Sequence, residues 1–136
     1  MLLNAGAGTA SHRGADGLLG DLEAALETLD VSADLEICSG PDLKRLAEAA
    51  LARARSAEID AVVVGGGDGS IRTVAGVLAE TGVPLGILPL GTLNHFAKDL
   101  GIPLHLKEAA EVIAKRETRT VDLAEVNGEA FINNSS

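Results

Sequence analysis

Residues 61–70 read Ala-Val-Val-Val-Gly-Gly-Gly-Asp-Gly-Ser, and residues 84–96 read Pro-Leu-Gly-Ile-Leu-Pro-Leu-Gly-Thr-Leu-Asn-His-Phe. The β-branched run from Ala61 to Val64 suits a strand buried on both faces, and it stops at consecutive glycines. Beyond them Ile71, Val74, Ala75 and Leu78 fall at i, i+3, i+4 and i+7, so a helix is expected from Asp68 to Ser70 onward, ending around Gly82-Val83-Pro84. Its N-terminus therefore lies on the glycine turn. Amides without a carbonyl partner and the helix dipole favour an anion there, and glycines let a ligand come close to the backbone. Leu85 to Leu88 reads as a second strand, followed by a polar loop from Pro89 to Asn94 and a short helix carrying Phe96, Ala97 and Leu100. In a parallel sheet both loops emerge at the carboxyl edge, where ligands bind.

The common nucleotide motifs do not account for this pattern. A P-loop needs Lys and then Ser or Thr after its last glycine, whereas Gly69 is followed by Ser70 and Ile71. The dinucleotide fingerprint fits weakly: Ser70 takes the third small position, and no acidic residue stands at a strand end about 20 positions on.

The motif Gly66-Gly67-Asp68-Gly69-Ser70 resembles the Gly-Gly-Asp-Gly-Thr signature shared by diacylglycerol-type lipid kinases, NAD kinases and 6-phosphofructokinases. Pro89-Leu90-Gly91-Thr92-Leu93-Asn94-His95-Phe96-Ala97-Lys98 is similar to the Pro-x-Gly-Thr-x-Asn-Asp-Phe-Ala-Arg segment of the diacylglycerol and sphingosine kinase group, with His95 in place of the usual Asp. Asn4-Ala5-Gly6-Ala7-Gly8 is similar to that family's Asn-Pro-x-x-Gly loop, with Ala5 for Pro. Val121-Asp122-Leu123 and Phe131-Ile132-Asn133-Asn134 resemble the closing strands of its first domain.

The resemblance implies a three-layer α/β/α domain with a mostly parallel sheet, like that of NAD kinase and phosphofructokinase, spanning residues 1–136. It implies binding of ATP with Mg²⁺ through Asn4, Gly8, Thr9, Gly66, Gly67, Asp68, Gly69, Ser70, Gly91, Thr92 and Asn94. Asp68 is the implied catalytic group and metal ligand, near the Mg²⁺-nucleotide. The reaction implied is transfer of the ATP γ-phosphoryl group to a lipid hydroxyl, of diacylglycerol or a related lipid, at a membrane surface. In the family a second, β-rich domain follows and carries the proposed general base. This chain is expected to be a fragment of such a two-domain protein, inactive alone. The rival readings are an NAD kinase-like enzyme with a soluble substrate and a non-catalytic nucleotide-binding module.

The glycines also have a purely structural reading, as a tight turn that packs strand on helix. Asp68 serves equally as an N-cap of the following helix, and Thr92 and Asn94 as caps of the short one. His95 reads as an exposed loop residue, and Arg13 and Lys98 as surface charges or as contacts to phosphate or anionic lipid. His12, His95 and His105 lack metal-ligand spacing.

A length of 136 residues bounds one domain. The formal net charge of −9 repels polyanions, and two aromatics, Phe96 and Phe131, offer few stacking platforms, so nucleic acid is not an expected partner. The single Cys38 excludes an internal disulfide. No apolar run approaches the roughly 20 residues of a spanning helix, so the chain is read as cytoplasmic, and the resemblance to lipid kinases implies peripheral membrane contact.

Leu18, Leu19, Leu22, Ala25, Leu26 and Leu29 mark a first helix with Asp16 as its cap, and Leu35 to Cys38 a strand. Leu43, Leu46, Ala47, Ala50 and Leu51 mark a helix opened by Ser39-Gly-Pro-Asp42, and Leu106, Ala109, Ala110 and Ile113 another. A weak first strand is expected at Met1 to Leu3. Asn127-Gly128 signals a hairpin between Arg119–Val126 and Glu129–Asn133, whose apolar edge around Phe131 and Ile132 predicts self-association, as in a homodimer.

Overall fold

The computed structural model describes residues 1–4, 15–118, 122–126 and 129–133. Strands β1 (Leu2–Asn4), β2 (Glu36–Cys38), β3 (Val62–Gly66) and β4 (Leu85–Pro89) form a sheet in the order β2-β1-β3-β4, with every neighbouring pair parallel. Helices α1 (Ala15–Thr28), α2 (Gly40–Arg55), α3 (Asp68–Leu78), α4 (His95–Asp99) and α5 (Leu106–Ala114) cover both faces.

Alternation along the strands divides the core into two layers. Leu2, Val62, Val64 and Ile87 pack with Leu43, Ala47 and Leu51 of α2, Ile71, Val74 and Leu78 of α3, and Ala97 of α4. Leu3, Val63 and Leu88 point the other way, onto Leu18, Leu22 and Leu26 of α1 and Ala109 of α5. The result is the expected three-layer α/β/α architecture. Because β3 is buried on both faces, its Val-Val-Val run shows no polar alternation.

Two details differ from the sequence reading. Helix α1 already runs from Ala15, so Asp16 falls inside the first turn and does not occupy the cap position. Strands β5 (Asp122–Val126) and β6 (Glu129–Asn133) pair antiparallel as expected, with Ala124 opposite Phe131, but as a separate two-stranded sheet, with β6 beside α3. The Asn127-Gly128 turn and residues 119–121 lie outside the described residues, as do Gly8, Thr9, His12 and Arg13.

Candidate functional site

The strand order reverses at β1: β2, which follows β1 in the chain, lies on one side of it, and β3, followed by β4, lies on the other. Such a switch point opens a crevice at the carboxyl ends of the strands. A shallow cleft of about 360 Å³ lies there, lined by Asn4 at the end of β1, Gly40 and Leu43 of α2, Gly67, Gly69, Ser70 and Thr73 around the start of α3, and Gly91 of the loop after β4. Five of the expected site residues thus meet at one place: Asn4, Gly67, Gly69, Ser70 and Gly91.

None of these lining residues is charged. The polarity comes from backbone and from Asn4, Ser70 and Thr73. Gly67 is the N-cap of α3, and the first intrahelical bond runs from the Ile71 N–H to the Gly67 carbonyl at 3.0 Å. The N–H groups of Asp68, Gly69 and Ser70 therefore have no carbonyl partner within the helix. Gly40, at the first position of α2, brings a second helix N-terminus to the same cleft. Two positive dipole ends facing one cavity favour an anion. Across the cleft floor Asn4 Nδ2 donates to Ser70 Oγ at 2.8 Å, tying β1 to α3.

The glycines divide by what a β-carbon would meet. At Gly66 it would lie 2.7 Å from Ser70 Cβ, so this glycine lets the helix turn back tightly on the strand. Gly67 and Gly91 pack backbone to backbone: a β-carbon on Gly67 would lie 3.2 Å from Gly91 Cα, and one on Gly91 would overlap Gly67 Cα. At Gly69 nothing among the described residues lies within 4 Å of where a β-carbon would stand. Packing among the described residues does not require a glycine there.

Asp68 occupies a place that neither sequence reading foresaw. It does not cap its own helix, since Gly67 holds that position. Its carboxylate instead accepts the His95 N–H at 3.0 Å and the Phe96 N–H at 2.9 Å, capping α4 across a separation of 27 and 28 residues. Asn94, at the N-cap position of α4, is buried with a left-handed backbone (φ 54°, ψ 47°) and makes no cap bond from its side chain. Its amide closes a ring with Gly91, accepting the Gly91 N–H at 2.9 Å and donating to the Gly91 carbonyl at 2.9 Å. The Leu90 N–H bonds the Gly66 carbonyl at 3.0 Å, which joins the two motif loops directly. Thr92, Leu93 and His95 are exposed on the outside of the loop.

Among the described residues no group of three or more His, Cys, Asp or Glu side chains could hold a metal ion. Each oxygen of Asp68 accepts one backbone amide, which fixes the carboxylate between α3 and α4. The shifted titrations lie away from the cleft lining. Burial pushes the Cys38 thiol up, and the hydrogen bond and charge of Arg53 hold the Asp34 carboxyl below its ordinary value.

Compared with known proteins, residues 1–126 match the diacylglycerol kinase catalytic domain. The chain belongs to that family. Among curated members of the diacylglycerol kinase catalytic domain family, it is 46% identical over 94 residues to a protein of Pseudomonas aeruginosa named "Probable lipid kinase YegS-like", covering 68% of this chain and 30% of that one. A protein of the same name from Pseudomonas syringae is 44% identical over 94 residues, covering 68% and 29%. Among solved structures, a diacylglycerol kinase from Bacillus anthracis superposes with a TM-score of 0.69 at 30% identity, over 96% of this chain and 43% of that one. The chain thus spans under a third of the length of these curated relatives.

Three cleft residues were not singled out as site residues from sequence: Gly40, Leu43 and Thr73. Gly40 sits in the Ser39-Gly-Pro-Asp42 signal, legible as a helix start, but only the fold brings that start beside the family motifs. Leu43 and Thr73 carry no such signal, because one reads as core and the other as an ordinary helical residue.

Proposed function

We propose that this chain is the nucleotide-binding domain of a lipid kinase, holding the phosphates of ATP in the switch-point cleft for transfer of the γ-phosphoryl group to a lipid hydroxyl. The observation that carries this reading is the meeting of two helix N-termini and the two family motifs at one uncharged cavity. Phosphoryl transfer needs mostly positioning and stabilisation of negative charge, and amides aimed into a cleft supply both.

On this reading Asn4, Gly67, Gly69, Ser70 and Gly91 face the nucleotide, with Gly8 and Thr9 joining from the loop after β1. Gly66, Asp68 and Asn94 act through the shape of the two motif loops, and Thr92 stands at the outer rim. Leu43 offers an apolar wall beside the phosphate amides. Mg²⁺ would come with the ATP phosphates, and Asp68, at the start of α3, is also the carboxylate that would meet it and help to neutralise their charge. On this reading the acceptor hydroxyl is the lipid's, and the site that holds it and the group that takes its proton lie outside this chain, so the chain alone binds ATP without turnover.

Two measurements test this. Calorimetric titration with Mg²⁺-ATP should give saturable binding, and the absence of heat at millimolar nucleotide would refute it. Phosphate transfer assayed with a protein of the relatives' full length should occur to diacylglycerol or a related lipid in mixed micelles. Transfer to NAD instead would move the protein to a soluble-substrate kinase.

A further inference from the structure

Arg72 and Phe96 face each other across α3 and α4, with the guanidinium carbon 5.8 Å from the ring centroid. Arg72 lies one turn beyond Asp68, so both side chains rise from the same side of α3. Helix α4 has five residues, too few to be stable by its own hydrogen bonds. It is gripped at two points: Asp68 holds its first amides, and Arg72 lies over its aromatic ring. One point would leave α4 free to pivot, and two fix its direction. We propose that Arg72 and Phe96 are positioning residues for the second motif loop, setting through α4 where Gly91 stands at the cleft. The affinity part of this inference rests on the nucleotide reading given above.

The path from ring to cleft is short and made of fixed contacts. Phe96 follows Asn94 by two residues, and both ends of the Asn94 amide are bonded to Gly91. Gly91 in turn packs on Gly67, and Leu90 bonds the Gly66 carbonyl. A tilt of α4 therefore moves Gly91 against the start of α3. Arg72 is not among the residues lining the cleft, so it acts on the nucleotide through its neighbours, Phe96 among them.

Two pairs of variants of the whole chain separate positioning from core filling. Arg72→Met keeps the apolar stem and removes the cation, while Arg72→Lys keeps a cation. Phe96→Leu keeps apolar bulk and removes the aromatic face, while Phe96→Tyr keeps the face. Arg72→Met and Phe96→Leu should speed hydrogen exchange at the Gly91 amide roughly three- to tenfold and weaken Mg²⁺-ATP binding by a similar factor, the size expected for one cation–π contact. The Leu3 amide in the sheet should keep its exchange rate, and the Lys and Tyr variants should recover most of both effects. Unchanged exchange at Gly91, or an increase shared equally by Leu3, would overturn the proposal by showing that the pair does no more than fill space. If the unmodified chain binds no ATP, the nucleotide reading fails and the exchange rates alone decide the role of Arg72 and Phe96.

Discussion

At the amino end of the sheet the chain turns at Asp30, Ala57 and Glu80, each with a left-handed backbone (φ 56°, 63° and 62°) although none is glycine. At the carboxyl end it turns through Gly67 and the Gly91–Asn94 loop. Main-chain bonds close each amino-end turn without a side chain of the left-handed residue itself, and Ser56 Oγ on the Arg53 carbonyl and Thr81 Oγ1 on the Leu78 carbonyl add to two of them. After α1 the Val31 N–H reaches the Leu26 carbonyl at 3.0 Å and the Asp30 N–H the Glu27 carbonyl at 3.2 Å, and after α2 the Glu58 and Ala57 amides repeat this pattern on Arg53 and Ala54. These are Schellman closures, in which the turn residue's side chain has no necessary part. After α3, Ala79 at φ −55°, ψ 133° and Glu80 form a type II turn, with the Thr81 N–H on the Leu78 carbonyl. At the carboxyl end the closures need particular side chains, namely Asp68 and Asn94, or their absence, at Gly67 and Gly91. A turn that only returns the chain tolerates many residues; one that shapes a cleft does not.

The sharpest break of this contrast is at Gly91. Gly91→Ala drives a β-carbon into the Gly67 backbone, which cannot rotate away as a side chain does, and should cost about 3 kcal/mol in denaturant unfolding. A loss under about 0.5 kcal/mol would show the two loops free to part, against the usual cost of overpacking. Asp68→Asn comes next. Its amide can accept one of the two α4 N–H groups but presents a donor to the other, so a loss of about 1 to 2 kcal/mol is expected. Equal stability would mean that α4 is held without its distant cap.

The amino end should respond in the opposite direction. Ala57→Gly and Glu80→Gly relieve a left-handed backbone and should raise stability by about 0.5 to 1 kcal/mol each, without touching the cleft. Destabilisation by either would show that these side chains matter after all. The smallest effect concerns Asp34, whose carboxyl accepts a hydrogen bond from Arg53 at 2.8 Å and is held below its ordinary value by that bond and the adjacent charge. Because the folded-state value is depressed, the pair's small contribution is present above the ordinary carboxylate range and is lost as pH falls through the lowered value. Arg53→Gln should return the Asp34 titration, followed by NMR, towards its ordinary range. No movement would assign the shift to another source.

The same contrast explains what the sequence could tell. The β-branched run at β3 and the 3.6-residue spacing of Ile71, Val74, Ala75 and Leu78 are local patterns, and they led directly to a strand, a helix and a glycine turn between them. The placement of Asn4, Gly67, Gly69, Ser70 and Gly91 followed from three family segments set at the ends of parallel strands. The cap of α4 was not legible, because its carboxylate lies 27 residues away and beside glycines that suggested a ligand. Asn94 was read as a cap or a ligand contact since nothing local reveals that its amide folds back on Gly91. The separate hairpin sheet was hidden for a similar reason: the turn signal fixes which strands pair, not what they pack against.

Gly69 bears most directly on the central claim, because it is the cleft glycine of the Gly-Gly-Asp-Gly-Ser motif for which packing among the described residues gives no reason. Mg²⁺-ATP should be titrated by calorimetry into the chain and into Gly69→Val, with thermal unfolding of both recorded alongside. The cleft reading predicts saturable binding by the unmodified chain and at least a roughly tenfold weaker affinity in a variant that is still folded, since a side chain at this position would occupy space held for phosphate. Equal affinity in the folded variant, or no binding by the unmodified chain, would contradict it.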